Sequence, residues 1–152
     1  MKERLLFEGT RKRVLAVVGE DGSCPAEEFL QALSDQDLAK IMALLERIAE
    51  QGEIRNEEKC RAILDFSGLF EFKGPQIRIT WFHASGNRII LTHGFRKKSD
   101  RSRRSRREYE RALKNREEFL KRGRTLQTEV SLLFTDRRGR HAEARRMDRE
   151  AT

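Results

Sequence analysis

The chain has only two cysteines, Cys24 and Cys60, in 152 residues. They stand far apart, in no CxxC or Cys/His spacing, which argues against a zinc site and favours reduced thiols packed as small apolar groups. The three histidines, His83, His93 and His141, are not spaced as metal ligands either. No apolar run approaches the roughly 20 residues that span a bilayer. The N-terminal stretch MKERLLFEGTRKR has neither the apolar core nor the cleavage site of a secretory signal, so the expected compartment is the cytoplasm. GxGxxG and GxxxxGK[ST] are both absent, as is any Ser/His/Asp or Cys/His arrangement for nucleophilic catalysis.

Charge is what the sequence has in abundance. Asp, Glu, Lys and Arg make up 38% of the residues, and the formal net charge is +8. That balance suits a polyanionic partner such as nucleic acid, an anionic membrane or an acidic protein. The charge is also clustered. From Arg96 to Arg124 there are fourteen Lys or Arg against five Asp or Glu. The stretch opens RKKSDRSRRSRR and continues as a predicted helix, Arg107 to Lys121, with a semi-apolar stripe of Tyr109, Ala112, Leu113, Arg116 and Phe119.

The segment before this cluster reads as one α+β domain. Arg13 to Val18 is a buried strand. Pro25 suits the first turn of a short helix, and Glu27 and Glu28 favour its N-terminus. Ser34 caps a second helix with Leu38, Ile41, Met42, Leu45 and Ile48 on its core side, stopped at Gly52. This helical hairpin is expected to cover one side of a sheet. Residues 53–67 carry no clear pattern. Three strands follow as an antiparallel meander: Leu69 to Lys73, Ile77 to His83 and Arg88 to Phe95, joined by Gly74-Pro75 and Ser85-Gly86-Asn87. Ile77, Ile79 and Trp81 share one face of the middle strand; Arg78, Thr80 and Phe82 share the other. Thr128 to Phe134 has the composition of an extra strand, and the charged tail beyond it has no core-forming pattern. The domain is accordingly taken as residues 1–124, with 125–152 as an extension.

Antiparallel pairing puts the end of one strand beside the start of its neighbour. Lys73 and Arg78 are therefore expected side by side, with Arg96, Lys97 and Lys98 leaving the third strand at the same end of the sheet. Fixed cations of this kind hold a phosphate, or stabilise the charge that grows on its oxygens during phosphodiester cleavage without a metal. In RNA the 2′-hydroxyl is an internal nucleophile. Composition alone does not separate binding from cleavage.

The motifs CPAEEFLQAL, DLAKIMALLERIAEQG, GLFEFK, IRITWF, RIILTHGFRKKSD and RREYERALKNREEFL occur in the order and spacing of a known family. Over about residues 11–122 the chain resembles the RelE/ParE toxin superfamily, in particular its HigB-like, phage-derived branch. The resemblance implies a RelE-like fold: N-terminal strand, helical hairpin, three-strand meander and C-terminal helix. It implies a type II toxin that cuts mRNA on the ribosome through 2′-hydroxyl attack, with no metal or organic cofactor, neutralised by a helix-turn-helix antitoxin. Carried over by position, the catalytic residues are Lys73, Arg78, Arg96, Lys97 and Lys98, with Glu71 as a candidate base or equally a structural strand residue. His93, inside an apolar strand, is a candidate base on its own chemistry, though a histidine so placed is more often packed and hydrogen-bonded in the core. Arg101, Arg103, Arg104, Arg106 and Arg107 form the expected RNA-binding run. The family usually has Lys-Lys-Thr and then Thr-Pro before the last helix; here Ser99-Asp100 and RSRRSRR stand in that place. Two other readings fit the resemblance: a ParE-like, non-enzymatic inhibitor of DNA gyrase, and an RNA-binding relative without activity.

Overall fold

A computed structural model describes residues 2–97, 103–122 and 127–136. Lys98, Arg101, the side chain of Arg103, His141 and the tail from residue 137 lie outside the described residues. The chain forms a mixed α+β structure with three helices and one seven-stranded sheet. In chain order the elements are β1 (Lys2–Glu8), β2 (Arg13–Val18), α1 (Pro25–Gln31), α2 (Asp35–Gln51), β3 (Cys60–Ala62), β4 (Phe70–Gly74), β5 (Ile77–Ala84), β6 (Arg88–Arg96), α3 (Arg103–Lys121) and β7 (Gln127–Asp136). The strand order across the sheet is β3-β4-β5-β6-β2-β1-β7.

The sheet is larger than the expected one. β4, β5 and β6 do lie in sequence order as antiparallel neighbours. They occupy one half of a wide sheet, with β3 added outside β4 and with β2, β1 and β7 beyond β6. β2 and β6 are parallel, as are β1 and β7. The first strand of the chain is β1, antiparallel to β2, and not the Arg13–Val18 strand.

The helices form where capping and periodicity predict. Ser34 Oγ accepts a hydrogen bond from the Asp37 N–H at 3.2 Å, and Gly52 ends α2 in the left-handed region at φ 84°. Pro25 opens α1, with Cys24 before it. Ile41, Leu44, Leu45, Ile48 and Ala49 bury the inner side of α2, while Leu38 and Met42 pack at its margin. α1 and α2 cover one face of the sheet, over Val14, Ala16, Phe72, Ile79, Trp81, Ile89 and Leu91. α3 covers the opposite face, where Tyr109, Ala112 and Phe119 meet Leu15, Phe82, Ile90 and Phe95. Helices thus lie on both faces, in three layers, and not on one side only. The Phe82 and Phe119 rings meet edge to face at 5.3 Å, a contact worth about 1 kcal/mol beyond its buried area.

A β-bulge decides which side chains face α3. Thr80 pairs with His93 but Trp81 pairs with Leu91, so Thr92 is an extra residue in β6. Before it, Ile89 and Leu91 face α1 and α2. After it the alternation is inverted: Phe95 packs on the α3 side and Gly94 faces α1. A Cβ at Gly94 would come within 2.2 Å of the Phe29 ring, so α1 and β6 approach as closely as they do because no side chain intervenes.

Cys24 and Cys60 are both free and buried. Burial pushes each thiol up to about 11, so both are protonated at neutral pH. Among the described residues no helix is long and apolar enough to cross a membrane.

Candidate functional site

Strand register lines up two lateral rows on the α3 face at one end of the sheet. The first row runs Arg61, Glu71, Thr80, His93 across β3 to β6. The second runs Lys73, Arg78, Phe95. Directly opposed residues on adjacent antiparallel strands share a face, so Lys73 and Arg78 are neighbours by construction. Arg96 pairs instead with Ile77, whose side chain packs among residues under α1 and α2. Of the described sequence-predicted cations, Lys73 and Arg78 come together here. Lys97 joins them from the α3 side, its Nζ 5.9 Å from the centre of the Tyr109 ring. Arg96 lies on the other face.

The first row is closed by α3. The Tyr109 hydroxyl donates to Glu71 Oε2 at 2.7 Å, and Arg61 Nε donates to Glu71 Oε1 at 2.9 Å. Arg78 Nε stands 3.8 Å from the same Oε1. Glu71 has 0% exposure and carries bonds from a helix and an edge strand at once. A buried carboxylate so engaged ties α3 to the sheet. Burial pushes the Tyr109 phenol up, and the Glu71 carboxylate that accepts its hydrogen bond pushes it further, against Arg61 and Arg78. Sequence reasoning picked out Glu71 as a candidate base or structural strand residue, and missed Arg61 and Tyr109. The β3–β4 register would have revealed Arg61, had β3 been legible.

Arg78 is held by the turn that follows β4. Its Nη1 donates to the carbonyls of Gly74 and Ile77 at 3.0 and 2.8 Å. The turn itself carries Gln76 at φ 57°, and the Lys97 N–H closes onto the Gln76 carbonyl at 2.9 Å. These bonds bring the chain leaving β6 against the β4–β5 turn. The Arg78 side chain is 11% exposed and Lys97 as a residue 7%, so the pair sits in a largely desolvated setting where charge acts strongly.

His93 is buried in the first row. Its Nε2 is 2.7 Å from Glu108 Oε2 on α3, and its Nδ1 is 3.2 Å from the Thr92 hydroxyl. An imidazole donating from Nε2 to the carboxylate accepts from the hydroxyl at Nδ1, which assigns the neutral tautomer from the network. Burial lowers the His93 pKa, nearby Arg111 lowers it further, and Glu108 opposes both. The unfolded imidazole takes up a proton near its ordinary value of about 6.5, whereas the folded one resists it. Below that value the unfolded state binds more protons, so acid favours unfolding. The stability His93 contributes is therefore complete above about pH 6.5 and is lost as pH falls through its lower folded value. Urea midpoints measured from pH 8 to 5 should decline, and His93→Gln should flatten the decline. An unchanged slope in the variant would contradict this origin.

On α3 the predicted RNA-binding run is spread around the helix. Arg104, Arg106 and Arg107 are exposed, and Arg106 pairs with Glu110 at 3.5 Å. Arg104 belongs to a crevice of about 460 Å³ between α1, the end of β6 and α3, together with Arg96, Glu108 and Arg111. Among the described residues no group of three or more His, Cys, Asp or Glu could hold a metal ion.

The fold and these rows define a basic α+β domain whose central strands end in lysine and arginine. The chain belongs to the phage-derived protein Gp49-like family (DUF891), whose profile matches residues 28–117. That family is associated with RelE-like toxins of toxin–antitoxin systems. The match begins within α1 and ends within α3, so it includes both rows and leaves out β1, β2 and β7. No curated protein matches the chain.

Proposed function

We propose that the protein is the toxin of a type II toxin–antitoxin pair, of the HigB-like kind within the RelE/ParE superfamily, and that it cuts mRNA on the ribosome. The observation that carries this reading is the juxtaposition of Lys73 and Arg78 by strand register, with Lys97 brought against their turn. In this reading Lys73 and Arg78 hold the scissile phosphate. Lys97, with Lys98 next to it in sequence, offsets the charge that develops on the non-bridging oxygens and on the leaving 5′-oxygen. The 2′-hydroxyl of the RNA is the nucleophile, and the protein supplies orientation and charge. No metal or organic cofactor takes part. The cognate antitoxin is a helix-turn-helix protein, and the compartment is the cytoplasm.

One observation favours a second reading, an RNA-binding relative without cleavage. Arg78 and Lys97 are largely buried, and both oxygens of Glu71 are engaged by Tyr109 and Arg61. Inducing the protein in cells and mapping mRNA 5′ ends separates the readings. New 5′ ends within translated frames support the nuclease. Intact mRNA with retained RNA binding supports the second reading. Growth arrest with intact mRNA and blocked supercoiling points to gyrase.

A further inference from the structure

β2 and β6 are parallel neighbours, and the chain leaves them in opposite directions. After β2 it enters α1 on one face of the sheet; after β6 it enters α3 on the other. Helices that diverge from adjacent parallel strands leave a crevice at the strands' carboxyl ends, the place where open α/β sheets bind ligands. Here the crevice is deepened by a difference in strand length. Pairing between β2 and β6 stops at Ala16–Leu91, whereas β6 runs on to Arg96. The bulge at Thr92 then turns Gly94 toward α1.

The resulting crevice of about 460 Å³ has two unlike walls. Phe29 of α1, with Ala32 and Leu33 just after the helix, forms an apolar wall, and Arg96, Arg104 and Arg111 provide cations from β6 and α3. Among the described residues the lining holds three arginines and one acidic residue, Glu108, which is bound to His93. The volume lies in the range of small-ligand pockets. An aromatic wall facing a cluster of guanidinium groups suits a ligand with one planar apolar part and one phosphate.

We propose that this switch-point crevice binds one nucleotide of single-stranded RNA, its base against Phe29 and its phosphate held by Arg96, Arg104 and Arg111. The crevice lies across β6 from the Lys73/Arg78 row, so it provides a subsite for a nucleotide away from the bond to be cut. The choice of RNA as ligand rests on the proposed function; the site itself rests on topology and charge.

The test uses the full chain and a 2′-O-methyl tetranucleotide, which lacks the nucleophile and cannot be cut. Binding is read by fluorescence anisotropy at fixed salt, and the contact surface by amide chemical-shift mapping. Arg111→Glu and Arg104→Glu should each weaken binding at least about tenfold, and Phe29→Ala several-fold. Lys114→Glu makes the same change of charge on the same helix outside the crevice and should weaken it much less. Shifts in the unmodified protein should include residues 29–33, 94–96 and 104–111, a result that needs no variant to fold. Equal weakening by Lys114→Glu, or shifts confined to the Lys73/Arg78 row, would overturn the proposal. Binding in the crevice by a chain that cuts no mRNA leaves this site standing and removes the nuclease. Cleavage by a chain with no crevice shifts does the reverse.

Discussion

Arg78→Ala is expected to lower mRNA cleavage by about two to three orders of magnitude, the usual cost of removing one fixed donor from a developing oxyanion. The size of the effect follows from how the guanidinium is held. Nη1 is committed to the carbonyls of Gly74 and Ile77, which fixes the plane of the group and leaves the rest of the fork to act beside Lys73. Lysine at this position keeps the charge but not the planar fork, so Arg78→Lys should recover only a small part of the activity. Both variants need a thermal melt alongside, because the side chain is nearly buried. A folded Arg78→Ala protein that produces the wild-type pattern of mRNA 5′ ends would place the chemistry elsewhere.

The largest expected loss of stability comes from Glu71→Ala, about 2–3 kcal/mol: the buried Tyr109 hydroxyl is left unpaired, while Arg61, 40% exposed, rehydrates. Removing the carboxylate leaves the Tyr109 hydroxyl without its acceptor and Arg61 without its counter-charge, at the seam between α3 and the sheet. Tyr109→Phe removes one hydrogen bond only and should cost roughly 1–2 kcal/mol. Glu71→Gln distinguishes an anchor from a base. An anchor variant unfolds at lower urea and retains cleavage in proportion to the folded fraction. A base variant keeps its midpoint and loses cleavage outright. The first outcome is expected, because both oxygens already serve structural partners.

Much of the local structure was legible because it depends on residues close in sequence. Ser34, Gly52 and Pro25 mark helix ends by their own backbone chemistry. Ile77 to Phe82 announces its two faces by alternation, and the structure divides them as read. What stayed hidden depends on partners far along the chain. β1 is charged at both ends, and its burial comes from β2 on one side and β7 on the other. β3 has three residues, too few for a period. The Thr92 bulge inverts the faces of the last part of β6, and only the register against β5 reveals it.

The candidate site was legible in part for the same reason. Lys73 and Arg78 flank a tight turn, so proximity follows from antiparallel pairing alone. The assignment of Arg96 to the same cluster fails because direct pairing with Ile77 puts it on the other face. For Glu71 the resemblance leaves two roles open, a base or a structural strand residue, because a strand position does not say what the carboxylate touches. Its bond to Tyr109, 38 residues away, changes its meaning.

The parallel ladder between β1 and β7 has a consequence for the order of assembly. Among the described strands β1 is made first and β7 last, yet they are neighbours in the sheet. Arg4 bonds Glu129, Thr128 bonds Glu3, and Ser131 bonds Glu27 of α1. Until residues 127–136 have been synthesised, β1 has one open edge, and Glu3, Arg4 and Glu27 lack the partners that β7 brings. Long-range pairing of this kind forms late and slowly. A nascent chain therefore emerges with its basic helix already made and its sheet still unfinished, and β7 sets the moment at which β1 gains its second neighbour.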